Sequence, residues 1–313
     1  MLTVIAIQSG QLDAFARVGD HPLGVDGFAN AVRDLWASGE SRPEWCFVVE
    51  ENGKWIGRVG YTGSDLTPHE LGMMGLHIPW RGDYLAAGIP LLRESLRAMR
   101  ASGRTHLERR LSSISDFVSE QRALLEKIGL PLAQEKIALS RVDSKPPMTG
   151  PEHLSFRSLE DVGEQAFVDA VRRVTDGTLD RIDQAERNIM GHAEHARVYL
   201  HFLKIADCQP GWWQLGYAPD GALVGLVIPQ SFGDGIGAIN YIGVVPQQRG
   251  KGYGYELLLK GTAIMQHAGL REMIADVDVL NPPMIRAFEQ VGYVHKVETQ
   301  FVYFGEIALL TDA

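Results

Sequence analysis

Two stretches of the chain alternate apolar and polar positions around a tight polar turn. EWCFVVEENGKWIGRVGYTG turns at Asn52-Gly53, and GWWQLGYAPDGALVGLVIPQ turns at Asp220-Gly221. Alternation places every second side chain on one face of a sheet, and Asn-Gly suits the type I′ turn of a hairpin. Each hairpin is followed by an apolar strand ending in proline, LGMMGLHIPW with Pro79 and INYIGVVPQQ with Pro246. Helix-period stretches come next, LLRESLRAM and LLLKGTAIM, and then short strands, HLERRL and EMIADVDVL. In both series a second helix runs to a glycine (Gly129, Gly292), and a strand-like run closes the series, QEKIALSRV or KVETQFVYF. Matching landmarks lie 163 to 168 residues apart in the same order, which predicts a duplicated α/β unit. Between the copies, DSKPPMTGPE holds three prolines and can continue neither a helix nor a central strand. This predicts domains 1–143 and 153–313 joined by a linker, 144–152. The second copy opens with two further amphipathic stretches, EDVGEQAFVDAVRRV and RIDQAERNIMGHAEHARVYLHFL, the latter capped by Thr178 or Asp180.

Composition adds class and compartment. The 313 residues are 45% hydrophobic and 22% charged, as in soluble globular proteins with room for two domains. No apolar run approaches the roughly 18 residues needed to cross a bilayer, and the N-terminus lacks the features of a signal peptide, so a cytoplasmic protein without a membrane partner is expected. Cys46 and Cys208 have no metal or disulfide spacing and read as inert thiols. The net charge of −9 is uneven: residues 1–145 hold 17 Lys and Arg against 18 Asp and Glu, the remainder 13 against 21. An acidic second half argues against nucleic acid, which needs a basic face, and favours a cationic partner.

The acidic half contains one small basic island. In NYIGVVPQQRGKGYGYELLLKGTAIM a strand ends at Pro246, and a turn with Gly250, Gly252 and Gly254 leads into an apolar helix. Glycines let the backbone approach a ligand, and free amides at a helix start make an anion site. Arg249 and Lys251 add positive charge. The turn fails the Walker A pattern, since Gly250-Lys251 is followed by Gly252, and it fails G-x-G-x-x-G by one position. It resembles the acetyl-CoA loop of the GNAT superfamily of N-acetyltransferases, [Q/R]-x-x-G-x-[G/A] three residues past a V-x-P-like strand end. A second landmark of that superfamily is an Asn with Gly and an aromatic 11 and 12 residues on, here Asn281, Gly292 and Tyr293. The resemblance covers residues 155–304. It implies an α/β (α+β) class and two tandem GNAT-like domains, each a mixed, mainly antiparallel sheet flanked by helices. It further implies that the amides of Gly250, Lys251, Gly252, Tyr253, Gly254 and Tyr255, beside Arg249, hold the pyrophosphate of acetyl-CoA. Ile242, Gly243 and Val244 would pair with its pantetheine arm like an added strand, with Asn281 and Phe288 further along that arm. The amine would enter from the other side of a split in the sheet.

The catalytic pattern departs from the resemblance. Many members carry a tyrosine seven residues after the Asn, to protonate the leaving thiolate; here Phe288 stands there and has no proton to give. Tyr241, Tyr253, Tyr255 and Tyr293 are the candidate substitutes. No carboxylate lies on the strand before the turn. Asn240 could orient a water, while Asp276 and Asp278 alternate with apolar residues and share one strand face. The expected catalytic set is therefore Asn240, Tyr241, Tyr253 and Asp278. Asp176, Asp180 and Asp183, between the first two helices of the second copy, are candidates for holding a cationic substrate. His192 and His195 have one Glu between them and no third ligand in view, so no metal is expected. One of Trp212 and Trp213 should face the core and the other the acceptor pocket. In the first copy Leu85 replaces the loop glycine and Asp83 adds negative charge, so that domain is expected not to bind CoA. The implied activity is acetyl transfer from acetyl-CoA to a primary amine of a small, cationic molecule, by direct attack in a ternary complex. The alternatives are a non-catalytic CoA-binding regulatory or scaffold protein and a protein or peptide N-acetyltransferase.

Overall fold

The computed structural model describes residues 1–142, 153–205 and 208–311, so the expected linker at 144–152 lies outside the described residues. In chain order the first elements are β1 (Leu2–Ala6), α1 (Leu12–Ala16), α2 (Gly24–Ser38), β2 (Cys46–Glu51), β3 (Lys54–Thr62), β4 (Glu70–His77), α3 (Tyr84–Ala101), β5 (His106–Ser112), α4 (Val118–Lys127) and β6 (Leu132–Val142). Then come β7 (Ser155–Ser158), α5 (Leu159–Val162), α6 (Glu164–Val174), α7 (Arg181–Met190), α8 (His192–Ile205), β8 (Gln214–Tyr217) and β9 (Leu223–Ser231). The series ends with β10 (Ile236–Val244), α9 (Tyr253–His267), β11 (Glu272–Asp278), α10 (Pro282–Val291), β12 (Val294–Glu306) and α11 (Ile307–Thr311).

Both units are mixed, mainly antiparallel sheets with helices packed on them. In the first, β1 to β4 pair antiparallel in sequence order, and β5 joins parallel to β4. In the second, β6, β11, β10, β9, β8 and β7 lie side by side in that order; β10 pairs parallel with β11, and the pairs β6–β11, β10–β9, β9–β8 and β8–β7 are antiparallel. The first hairpin has the expected two-residue turn: Glu51 pairs with Lys54, and Asn52 and Gly53 both have positive φ. The second hairpin is wider, closing from Ala218 N to Ala222 O, with the Asp220 carboxylate accepting from Ala222 N. Each of the two amphipathic stretches read as one helix is two helices, broken at Gly163 and Gly191.

The compact units depart from chain order. One comprises residues 1–133 and 301–313, the other Gln134–Gln300. Most of β6 thus belongs to the second unit, and the end of β12 to the first. The boundary expected at 143–153 assigned each strand to the half it closes, because alternation shows that a strand exists and not which sheet receives it. Phe301, Tyr303, Ile307 and Leu310 are buried in the first unit's core with Val59, Leu71 and Leu92. Ala138 and Leu139 are buried in the second unit.

A fragment of residues 1–142 therefore lacks four core side chains, worth about 1.5–3 kcal/mol each when buried. Their loss is comparable to the whole stability of a domain, about 5–15 kcal/mol. Expressed alone, it should aggregate or show no cooperative melting transition, and adding residues 143–313 as a separate chain should restore one.

Candidate active site

Parallel pairing between β10 and β11 covers only Ile236 to Ala238 against Glu272 to Ile274. Beyond it β10 continues along β9, and β11 along β6. Asn240 is the extra residue of a bulge between Ile239 and Tyr241; a bulge bends the strand that carries it. The result is a split whose β10 edge, at Ile242 to Val244, has no strand beside it among the described residues. A cleft of about 460 Å³ lies there, lined by Ile242, Gly243 and Val244, by Arg249, Gly250, Gly252, Tyr253, Gly254 and Tyr255, and by Asn281. The structure thus gathers most of the expected cofactor residues in one place.

Helix α9 starts at this cleft with no side-chain cap; the Tyr255 amide donates to Gly252 O at 3.0 Å, and the Tyr253 and Gly254 amides at the helix start suit an anion. Gly250 and Gly252 have φ of 77° and 82°, and a Cβ at either would meet nothing within 4 Å. Glycine is required there for left-handed backbone rather than for space. Asn281 caps α10, its Oδ1 accepting from Met284 N at 3.3 Å, and that use leaves the side-chain NH2 for a ligand.

Three expected cofactor residues act differently. The Arg249 guanidinium folds back on the backbone and donates to four carbonyls: Val244 at 3.0 Å, Val174 at 2.8 Å, Asp176 at 2.7 Å and Gly177 at 2.7 Å. It clamps the α6–α7 connection onto the glycine turn and is committed to backbone oxygens rather than phosphate. Lys251 is exposed at the lip, bonded to Gln248 Oε1 at 2.8 Å, and does not line the cleft. Phe288 is buried in the core, edge-on to Tyr293, because it shares the inward face of α10 with Ala287 and Val291. Sequence reasoning missed the opposite walls, formed by Val174, Thr178 and Leu179 and by Met284, Arg286 and Gln290 of α10. The i, i+4 spacing of Arg286 and Gln290 puts them on one helix face, which was the available signal.

The acid and base candidates separate by their bonds. Asp278 is 1% exposed and fully engaged: Arg181 donates to both its oxygens at 2.9 and 3.0 Å, Gln134 donates at 3.0 Å and Leu280 N at 2.8 Å. Burial alone would raise its pKa, but the bonds from Arg181, Leu280 and Gln134 outweigh it and hold the pKa below the usual carboxylate value. With every oxygen occupied it ties β11 to α7 and is not placed to take a proton. Asp276 is exposed and accepts from Gln300 at 3.2 Å. Asn240 donates through Nδ2 to buried Gln230, which in turn holds Leu203 O. Tyr293 is in the core against Thr262, its hydroxyl pushed up to about 12 by burial. Trp213 is fully buried beside Phe167, and Trp212 does not line the cleft.

Among the acidic residues of the helical side, Asp176 pairs with Arg187 at 3.2 Å. Asp180 caps α7 and pairs with Lys136 at 3.3 Å. Asp183 is buried and accepts from the Tyr241 hydroxyl at 3.1 Å. His195, also buried, lies 3.2 Å from Glu186 and 4.0 Å from Asp183 through Nε2. This grouping joins α7, α8 and β10, and no local sequence spacing announces it.

The first unit has the same split with different contents. Pairing of β4 with β5 stops at Gly72 and Glu108. Immediately beyond, Arg109 of β5 reaches across and donates to Met73 O at 3.0 Å and to Gln121 at 3.0 Å. The start of α3 is capped by Asp83, whose carboxylate accepts from Ala86 N at 3.2 Å. Where the second unit leaves a strand edge open and a helix start uncapped, the first fills both from its own side chains.

The second unit thus joins a split mixed sheet, a glycine turn and an uncapped helix start at one cleft. Residues 179–293 match the acetyltransferase (GNAT) family. A GCN5-related N-acetyltransferase from Sphaerobacter thermophilus has the same fold, with a TM-score of 0.65 at 19% identity, covering 98% of this chain and 96% of that one. A tandem GNAT protein from the clavulanic acid biosynthesis pathway gives 0.54 at 15% identity, with 98% of each chain covered. These likenesses are of fold, and they extend the tandem arrangement over the whole chain. The mycothiol acetyltransferase of Thermobispora bispora is 33% identical over 116 residues, 34% of this chain, and the match spans 39% of that protein's length. Among the described residues no helix is long and apolar enough to cross a membrane.

Asp278→Ala leaves Arg181 and Gln134 without their partner. The expected loss is about 2 kcal/mol, below the roughly 3–5 for a fully buried pair because the Arg181 side chain is 31% exposed. The Asp278 pKa is depressed by folding, so its stabilisation is present above the unfolded value, about 3.9, and is lost as pH falls through the lower folded value. Denaturant melts of wild type and variant should differ at pH 7 and converge in strong acid; equal curves at pH 7 would contradict the assignment.

Proposed function

We propose that the second unit transfers an acetyl group from acetyl-CoA to a primary amine of a small molecule, directly and within a ternary complex. The observation that carries this reading is the coincidence, in one cleft, of the unpaired β10 edge and the uncapped start of α9. An extended pantetheine arm has amides and carbonyls to complete that edge, and a pyrophosphate matches the amides at the helix start. No cysteine lines the cleft, so an acyl-enzyme has no nucleophile there; burial pushes the Cys46 thiol up to about 12, in the other unit. The relative named for mycothiol supports a small-molecule acceptor. The excess acid of the second half favours a cationic one. The first unit, with Arg109 across its split and Asp83 on its helix, is read as a scaffold that does not hold CoA.

Calorimetric titration with CoA should show one site per chain. Gly252→Leu, which forces a side chain into left-handed backbone at about 1–2 kcal/mol and sets it over the helix amides, should remove that binding. Free-thiol release from acetyl-CoA should then appear with members of an amine panel such as spermidine, glucosamine and lysine methyl ester. CoA binding unchanged in Gly252→Leu would overturn the site. Binding without thiol release across the panel would overturn the transfer reading in favour of a non-catalytic CoA-binding protein.

A further inference from the structure

We propose that Tyr241 and Asp183 form the proton relay that deprotonates the acceptor amine, with Tyr241 touching the amine and Asp183 acting through it as the proton store. This deepens the acetyl-transfer reading and rests on it. Tyr241 is the one ionisable residue on β10 and directly follows the bulge. Its side chain does not line the cofactor cleft; it packs against α6 and α8 beside Tyr199, on the side of the split from which the resemblance brings the amine. It is half-buried and donates its hydroxyl to Asp183 Oδ2 at 3.1 Å. The other carboxylates expected to serve are excluded by their bonds: Asp278 is saturated, and Asp276 is exposed and bonded to Gln300.

The surroundings of Asp183 suit a proton store. From its own helix and cap it faces Glu186 and Asp180, from α8 His195, from β10 Tyr241, itself beside Tyr199, and from β6 Lys136. Burial first, then the negative charge of Asp180, push its carboxyl up to about 7; Glu186 adds to this, and His195 and Lys136 oppose it. A base near the working pH is where proton transfer is most effective. Burial and the neighbouring Asp183 also raise the Tyr241 phenol well above its ordinary value, so it stays neutral and works by passing protons, not by ionising. His195, at 0% exposure, bonds Glu186, whose side chain is 17% exposed, which opens a route from the store to solvent.

The step balances as follows. An ammonium gives one proton to the Tyr241 oxygen while the Tyr241 hydroxyl proton passes to Asp183 Oδ2. The freed nitrogen lone pair forms the N–C bond at the thioester carbonyl. As the C–S bond breaks, the sulfur keeps its electron pair, and the second nitrogen proton ends on it to give the free thiol. Asp183 then returns its proton to solvent, for a net release of one.

The test uses the full chain, CoA calorimetry and pH profiles of kcat with an amine from the panel that turns over. Wild-type kcat should rise with pH through about 7, as Asp183 loses its proton. Tyr241→Phe and Asp183→Asn should each lower kcat by about a hundredfold or more and abolish that limb. Their CoA affinity should stay within about twofold of wild type, which a general collapse would not allow, and Asp183→Glu should restore part of the rate. Should Asp183→Asn not fold, Tyr241→Phe decides. Variants that turn over like wild type with the same acid limb would overturn the relay alone. A wild type that binds CoA and releases no thiol with any amine would overturn the relay together with the transfer reading.

Discussion

The structure of the second unit depends on a strand that loses its neighbour halfway. Backbone amides and carbonyls are obligatory hydrogen-bonding groups, and a sheet that opens after three paired residues leaves a row of them to be satisfied. The bulge at Asn240 and the uncapped start of α9 lie at the two ends of that open row. Arg249 fixes the geometry between them, because its four carbonyl bonds join the end of β10, the end of α6 and the connection that follows it. The loop is therefore held before any ligand arrives. Preorganisation of this kind reduces the ordering cost of binding.

The same constraint explains why two units of one fold need not share an activity. The first unit also opens its sheet after three paired residues, and it too begins a helix beyond the split. There the requirement is met internally: a guanidinium spans the opening and a carboxylate caps the helix. Burial lowers the Arg109 pKa to about 10, still well above neutral, so the bridging group stays charged. A ligand would have to displace two engaged side chains and then supply the same bonds.

Local features were legible in the sequence, and tertiary ones were not. The Asn52-Gly53 turn, the Asp180 cap, the glycine turn and Asn281 depend on a few adjacent residues, and their chemistry is written in those residues. Phe288 misled because seven residues on a helix returns nearly to the starting face, yet the stripe of Ala287, Phe288 and Val291 points inward. Asp278 and Asp276 alternate as expected, but only the fold shows that Arg181 and Gln134 consume the first. The meeting of Asp183, Glu186, His195 and Tyr241 requires α7, α8 and β10 to pack together, and the exchange of β6 and the end of β12 requires knowing which sheet each strand enters. Neither leaves a periodic trace.

Hydrogen exchange on the full chain with and without CoA tests the central claim most directly. The account predicts that CoA slows exchange at two separate segments, the β10 edge at 242–244 and the amides at 250–255, and leaves the start of α3 and residues 73–77 unchanged. Protection at 73–77 and the start of α3, or none at 242–244, would contradict it.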